Sequence, residues 1–417
     1  MTFRWLALAY LGVTTLVAQA QETAAVMPPR IVRVRAIAIS GQTIYDRTNA
    51  SGERIPLLEP LNRSVSTATM AQSDAELKQL YTKLNEFQAG LGDSLMQADL
   101  KTTSSIDFKR TIYALEYGIT RKISFGFMAP ILEMRMKSTF NAQLQEQVAK
   151  VKAATNGVAD ELTAGLDKLA ANLPNTATFE NAVFTSKGYQ IPGDYKVQGL
   201  GDAEAGLKYQ LVNNDWTLFS AQVQFRAPTT SHTEDYTRLL DKGLGDKQWD
   251  VGLYLNWDLM PNPNLVFGTM VKLTSQRPDN IRRPVLRTWE SDLPDMTDAN
   301  AWANVHRNLG DMIETELSTT YYFDDRAWNI YGAYQFAHKG QDQYSGSRTD
   351  LNYAWLSAGT STTAHNYETG IGYSTIQHYF KKRFPVPFEL KYGFNSTFAA
   401  KNTVHPSYHR FNLLMYF

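Results

Sequence analysis

Seven histidines, at positions 232, 306, 338, 365, 378, 405 and 409, are the residues of this 417-residue chain best suited to proton transfer or metal ligation, and no cysteine accompanies them. Without thiols there is no disulfide framework, no thiolate zinc site and no cysteine nucleophile. No helical pattern carries two histidines at zinc-binding spacing, and the histidines fall mostly in loops or near strand ends. A Ser/His/Asp arrangement could assemble from separate strands, since such sites are defined by geometry rather than by order, but no local feature singles one out. The expectation is therefore no catalytic residue, no metal and no cofactor.

The charged residues offer more. Acids and bases balance at 41 each, which gives no electrostatic reason for a nucleic-acid partner. What matters is where alternation places them. In "KQWDVGLYLNWDLM" one face takes Trp249, Val251, Leu253, Leu255, Trp257 and Leu259, and the other takes Asp250, Gly252, Tyr254, Asn256 and Asp258. In "DAEAGLKYQL" Ala203, Ala205, Leu207, Tyr209 and Leu211 lie opposite Asp202, Glu204, Gly206, Lys208 and Gln210. Successive strand side chains point to opposite faces, so each stretch reads as a strand with one greasy and one polar face. Extended along the chain, the same alternation puts Glu116, Glu204, Lys208, Asp250, Asp258, Glu314, Glu316, Glu368, Glu389, Lys391 and Arg410 on the polar face. If that face lines a lumen, these residues either pair across strands and fill it or set its selectivity. Acids outnumber bases among them, which leans toward cations or neutral solutes.

The elements that must hold such a face are strands. Twelve are read at about 31–40, 106–119, 122–136, 201–212, 216–228, 247–260, 264–275, 310–323, 328–338, 363–376, 387–397 and 407–417. Thr120-Arg121, Asn213-Asn214-Asp215, Pro261-Asn262-Pro263, residues 324–327 and residues 381–386 are short connections. The intervening ones are longer, from about ten to more than sixty residues. An even number of strands with tight turns on one side and long loops on the other is the pattern of a single-chain outer-membrane barrel. The fold class expected is an all-β membrane protein, a twelve-stranded antiparallel transmembrane β-barrel with helical extracellular loops. In the last strand Phe411, Leu413, Met415 and Phe417 share one face, and that strand is expected to pair with the first and close the barrel, because an open edge is not tolerated in lipid.

The first residues fit export. Arg4 precedes an apolar run from Trp5 to Val17, and Ala18-Gln19-Ala20 supplies a cleavage site, so residues 1–20 read as a signal peptide and 21–417 as the exported barrel. The apolar run is too short for a membrane-spanning helix, and the sequence shows no energy-coupling plug at its N-terminus. Two stretches break the strand pattern. Residues 73–95 carry a Ser73/Glu76 capping box and Leu77, Leu80, Leu84, Phe87 and Leu91 at helical spacing. Residues 141–172 place Leu144, Val148, Val151, Val158, Leu162, Leu166 and Leu169 mostly on one stripe. Packing of the two on each other is the simplest use of their apolar faces, and gating is the sharper one. The tetrapeptide GLGD recurs at residues 199–202 and 243–246, with NLGD at 308–311, a repeated turn-to-strand solution without catalytic context.

At "YGITRKISFGFMAPIL" and "GLGDAEAGLKYQL" the chain resembles the outer-membrane barrels of the MetA-pathway of phenol degradation family. The residues that carry the resemblance are Tyr117-Gly118, the Thr120-Arg121 turn, the apolar stretch 123–130 reaching Pro130, and residues 199–202. It spans much of residues 106–260 and implies a channel or uptake function for small hydrophobic molecules. An aromatic residue ending such a strand resembles the signal recognised by the outer-membrane insertion machinery. The function expected is passive passage of small, hydrophobic-leaning molecules across a Gram-negative outer membrane, with lipid, the insertion machinery and a small solute as partners. The alternatives are a barrel that anchors helical loops for adhesion or partner binding, and an outer-membrane hydrolase.

Overall fold

The computed structural model describes residues 23–72, 74–155, 160–287 and 293–417. The expected signal peptide lies outside them. The chain divides into two compact units, one of residues up to 55, 105–136 and 194–417, the other of residues 56–104 and 137–193.

The first unit is a closed antiparallel barrel. Its strands are β1 (Val32–Gly41), β2 (Met96–Gly118), β3 (Ile123–Glu146), β4 (Ala203–Asn213), β5 (Thr217–Ala227) and β6 (Asp250–Asn262), then β7 (Leu265–Gln276), β8 (Met312–Phe323), β9 (Trp328–Lys339), β10 (Thr362–Ser374), β11 (Phe388–Lys401) and β12 (Ser407–Tyr416). Each pairs with its neighbours in sequence, and β1 pairs with both β2 and β12, so the sheet has no edge along this circuit. β2 and β3 are longer than alternation indicated, at 23 and 24 residues, and their outer stretches belong to the second unit.

The faces sort as the sequence reading requires. In β6, Leu253, Leu255 and Trp257 are 42, 39 and 46% exposed, while Tyr254 and Asn256 are fully buried. An outer surface this apolar suits lipid rather than water. Aromatic rings gather near the short turns, where Trp328 packs 4.8 Å from Tyr373 and Tyr321 stacks on Phe323, the arrangement of an interfacial girdle.

The turns are built locally. Thr120 Oγ1 accepts hydrogen bonds from the amides of Lys122 and Ile123, and Asn214 Oδ1 accepts from those of Trp216 and Thr217. Side chains of this type commonly stabilise such turns. Two connections differ from the sequence reading. That between β10 and β11 spans residues 375–387 and contains a short helix, Ile376–Phe380, pinned by Thr375, whose hydroxyl donates to Val386 O and accepts from Phe388 N. That between β11 and β12, read as long, is residues 402–406 only.

Two long connections of this unit, that between β7 and β8 and that between β9 and β10, carry a small antiparallel sheet of their own, formed by Asp279–Pro284, Trp302–Asn308 and Gln343–Ser345. Behind it lies a core of Val285, Leu286, Ala303, Val305, Leu351, Trp355 and Leu356. In the GLGD repeat, Gly243 has φ 73°, but Gly245 serves by size, since a methyl group there would overlap the Asp202 carboxylate.

The second unit contains helices α1 (Ala75–Phe87), α2 (Val148–Thr155), α3 (Asp160–Ala171) and α4 (Thr176–Val183). Leu77, Leu80 and Leu84 of α1 share one core with Val148, Val151, Leu162 and Leu166, so the apolar stripes pack on each other. The N-cap of α1 is Asp74, whose carboxylate accepts from the amides of Glu76 and Leu77; Ser73 lies outside the described residues. The helical reading of 141–172 needs correction, because residues up to Glu146 continue β3 and the rest divides into α2 and α3. Phe140, Ala142 and Leu144 satisfy both the two-residue and the four-residue repeat, and strand pairing wins. Helix α4, capped by Asn175, has no counterpart in the sequence reading.

Candidate functional site

The buried face of the barrel wall is polar, and its charges are matched. Glu368 and Arg410, both almost fully buried, form an ion pair. Tyr331 donates to the same carboxylate at 3.0 Å, Gln335 donates to Glu316 at 3.0 Å, and Asn395 donates to Gln335 at 2.9 Å. These bonds link β8, β9, β10, β11 and β12. On the other side of the circuit Arg226 lies between Glu204 and Asp250, at 2.9 and 2.8 Å, and Lys272 pairs with Glu314 at 2.9 Å. Glu116 is held by Arg33 and Arg35, the latter at 2.9 Å, while Glu389 accepts from Tyr416 and lies 3.7 Å from Lys391.

Every polar-face candidate named from the sequence thus acquires a partner inside the barrel unit, and most are brought together in these groups. Sequence reasoning missed Arg33, Arg35, Arg110, Arg226 and Lys272, of which Arg33, Arg110 and Lys272 are buried and Arg226 nearly so. With these five, the bases named match the eight acids named, and the lean toward cations is withdrawn. The signal was present in the alternation of V-R-V-R at 32–35 and Q-V-Q-F-R at 222–226. A charge buried in low dielectric needs a counter-charge, which is why an acid-rich lining does not stand alone.

The start of the described chain also enters this interior. Asp258 accepts from Thr23 Oγ1 and from Ala24 N, both at 2.8 Å, Lys208 donates to Thr23 O at 3.0 Å, and Gln210 accepts from Val26 N at 3.1 Å. Gly118 makes room for the segment, since a methyl group there would overlap the carbonyls of Met27 and Pro28. Residues 23–28 therefore occupy part of the barrel near Asp258, an N-terminal insertion that alternation and motifs do not signal. Elsewhere inside, a space of about 70 Å³ is bounded by Arg35, Glu116, Ser124, Glu204, Lys208 and Gln224, among others.

The residues named for the closing strand lie along its pairing with β1. Phe411, Leu413 and Phe417 are 55, 38 and 64% exposed, and Met415, half-buried, pairs opposite Val34.

A larger cavity, of about 340 Å³, lies among the long connections of the barrel unit. Tyr236, Arg283, Trp355 and Tyr344 line it, with Glu234 and Lys242, which pair at 2.5 Å. Arg307 is fixed by Asp279 at 2.7 Å. Burial tends to raise the Glu234 carboxyl, but Lys242 and Arg283 outweigh it and hold the group below its ordinary range. Burial pushes the Tyr236 and Tyr344 hydroxyls up, so both remain protonated donors.

His232 Nε2 lies 2.8 Å from Asp241, and Tyr195 contacts both His232, at 3.1 Å, and Asp241, at 3.0 Å. The neighbouring Ser231 hydroxyl donates to Leu200 O. His405 and His409 stand four residues apart, but His409 is on β12, where that spacing separates side chains rather than stacking them as on a helix. No cluster of three metal-ligating side chains occurs among the described residues.

No family model and no curated protein matches the chain. Among solved structures, an outer membrane channel from Pseudomonas putida F1 is similar over 96% of this chain and 100% of its own, with TM-score 0.50 and 11% identity. The Ralstonia pickettii toluene transporter TbuX (93% of this chain, 90% of that one, TM-score 0.35, 10% identity) and the CymD monoaromatic hydrocarbon channel (94% and 89%, TM-score 0.35, 10% identity) are more distant. At 11% identity the first likeness is one of fold, and the fold implied by the sequence resemblance is the one observed. The chain shares with that outer membrane channel the architecture of a transmembrane β-barrel, here of twelve antiparallel strands.

Proposed function

We propose that this protein is an outer-membrane channel through which small molecules, hydrophobic solutes among them, pass without energy input. The observation that carries this reading is the closed circuit of twelve strands with an apolar outer face and a polar, charge-matched interior. An interior of this kind supports a wetted path rather than a solid core. The Pseudomonas putida F1 protein is described as a channel, and that description agrees with the reading. Residues 1–20 serve as a cleaved export signal, and the inner polar residues, from Glu116 round to Arg410, line the path. The segment 23–28 narrows it. Reconstitution of the purified protein in planar bilayers tests the function. Discrete open steps are expected, and a silent, correctly folded barrel would remove the channel reading.

The second reading, a barrel that anchors displayed loops, draws support from the independent core of the helical unit, where Leu84 and Leu166 are fully buried. It predicts silence in the same bilayer measurement and retained surface binding by the helical unit.

A further inference from the structure

Arg283 stands out among the cavity residues. Its guanidinium sits 5.2 Å from the Tyr236 ring centroid and 5.4 Å from that of Tyr344. Its Nε is buried without a hydrogen-bond partner, and no carboxylate lies within ion-pair distance of it among the described residues. Among the other cations of the cavity wall, Lys242 has Glu234 and Arg307 has Asp279, while Lys247 and Arg282 are exposed to solvent. Neither the Tyr236 nor the Tyr344 hydroxyl has a hydrogen-bond partner among the described residues, although both residues face the cavity. A half-buried guanidinium flanked by two phenol donors is a ready anion site, because charge-assisted bonds in a partly desolvated place are the strong ones.

Part of the wall is apolar. Trp355 and Leu356, 9 and 5% exposed, and Ile281 face the same space, backed by the core of the small sheet. At about 340 Å³ the cavity is near the lower end of the range for small-molecule sites. It suits a one-ring solute better than a long chain.

We propose that this cavity binds a small aromatic acid, with its carboxylate on Arg283 and the hydroxyls of Tyr236 and Tyr344, and its ring against Trp355, Leu356 and Ile281. A neutral hydrocarbon would offer the guanidinium no hydrogen-bond acceptor, and a small inorganic anion would leave the apolar wall unused. As a capture step before passage, the site rests on the channel reading; as a binding site it stands by itself.

The test uses the full chain purified in detergent, with titration calorimetry of benzoate, benzamide, toluene and acetate. Saturable benzoate binding is expected, with benzamide, toluene and acetate weaker by about ten-fold or more, as loss of a charge-assisted bond or of the ring contact implies. Arg283→Gln is expected to weaken benzoate by a similar factor while leaving benzamide unchanged, and Tyr344→Phe to weaken it several-fold. Equal binding of benzamide or acetate, absence of saturable benzoate binding, or an Arg283→Gln protein with unaltered benzoate affinity would overturn the proposal. If Arg283→Gln does not fold, the wild-type ligand series and Tyr344→Phe decide. Bilayer conductance is measured separately, so a silent barrel that binds benzoate sinks the channel and keeps the site, and a conducting barrel that ignores benzoate does the reverse.

Discussion

Val32 and Phe417 exchange both of their main-chain hydrogen bonds, Val32 N to Phe417 O at 3.0 Å and Phe417 N to Val32 O at 2.9 Å. This double bond is the last rung of the seam between β1 and β12, whose register continues from Arg33 opposite Tyr416 to Gly41 opposite Tyr408. Removal of Phe417 leaves the amide and carbonyl of Val32, a half-buried residue, without partners at the seam. A loss of about 2–4 kcal/mol is expected. The check is the fraction of folded, heat-modifiable barrel on unboiled electrophoresis, which falls if the seam depends on this rung.

Arg410→Met should damage the barrel far more than Glu368→Gln plus Arg410→Met together. The single change strands the Glu368 carboxylate, which is fully buried among Tyr331, Gln335 and the wall. Breaking a buried pair from one side costs about 3–5 kcal/mol, whereas removing both charges is much milder. Denaturant titration in lipid vesicles distinguishes the two, and equal losses would mean that the pair is not desolvated.

The Thr23 and Ala24 contacts with Asp258 make the inserted segment dependent on one carboxylate. Asp258→Ala removes the carboxylate oxygen that accepts both bonds and is expected to release residues 23–28. Single-channel steps should then be larger, or their closures rarer, than in the unaltered protein. Unchanged conductance would show that the segment does not restrict the path.

Asp202 gives a pH dependence in the loops. Burial, reinforced by the neighbouring Asp246 carboxylate, pushes its carboxyl up to about 6, against the backbone amides of Thr230 and Asp246 that hydrogen-bond to it. Because the folded value lies above the ordinary one of 3.8, the folded state binds the proton more tightly. The resulting stabilisation is full below the ordinary value and is lost as pH rises through about 6. Proteolytic cleavage within residues 228–249 should therefore be slower at pH 4.5 than at pH 7.5. Asp202→Asn should flatten that difference, and a dependence that persists in it would assign the effect to another group.

The twelve strands were legible in the sequence because alternation is a property of each segment alone. Every second side chain must meet lipid and the others must not, so the pattern is written in runs such as G-L-Y-L-N-W-D without reference to any partner. The same alternation was the basis for placing Phe411, Leu413, Met415 and Phe417 on one face of the last strand and the residues from Glu116 to Arg410 on a polar face. Length was less secure where two periods coincide. Residues 140–144 fit a strand and a helix equally, and only pairing in three dimensions extends β3 to Glu146.

Partner identity was beyond the sequence altogether. That Glu368 takes Arg410 across 42 positions, or that Asp258 takes Thr23 and Ala24 across more than 230, depends on which strands become neighbours and on what enters the barrel. The cavity around Arg283 is assembled from three separate connections whose sequences share no period. Segment chemistry determined the wall and its two faces; closure of the circuit decided which charges meet, because a buried charge selects its neighbour by position and desolvation, and neither exists until the chain has folded.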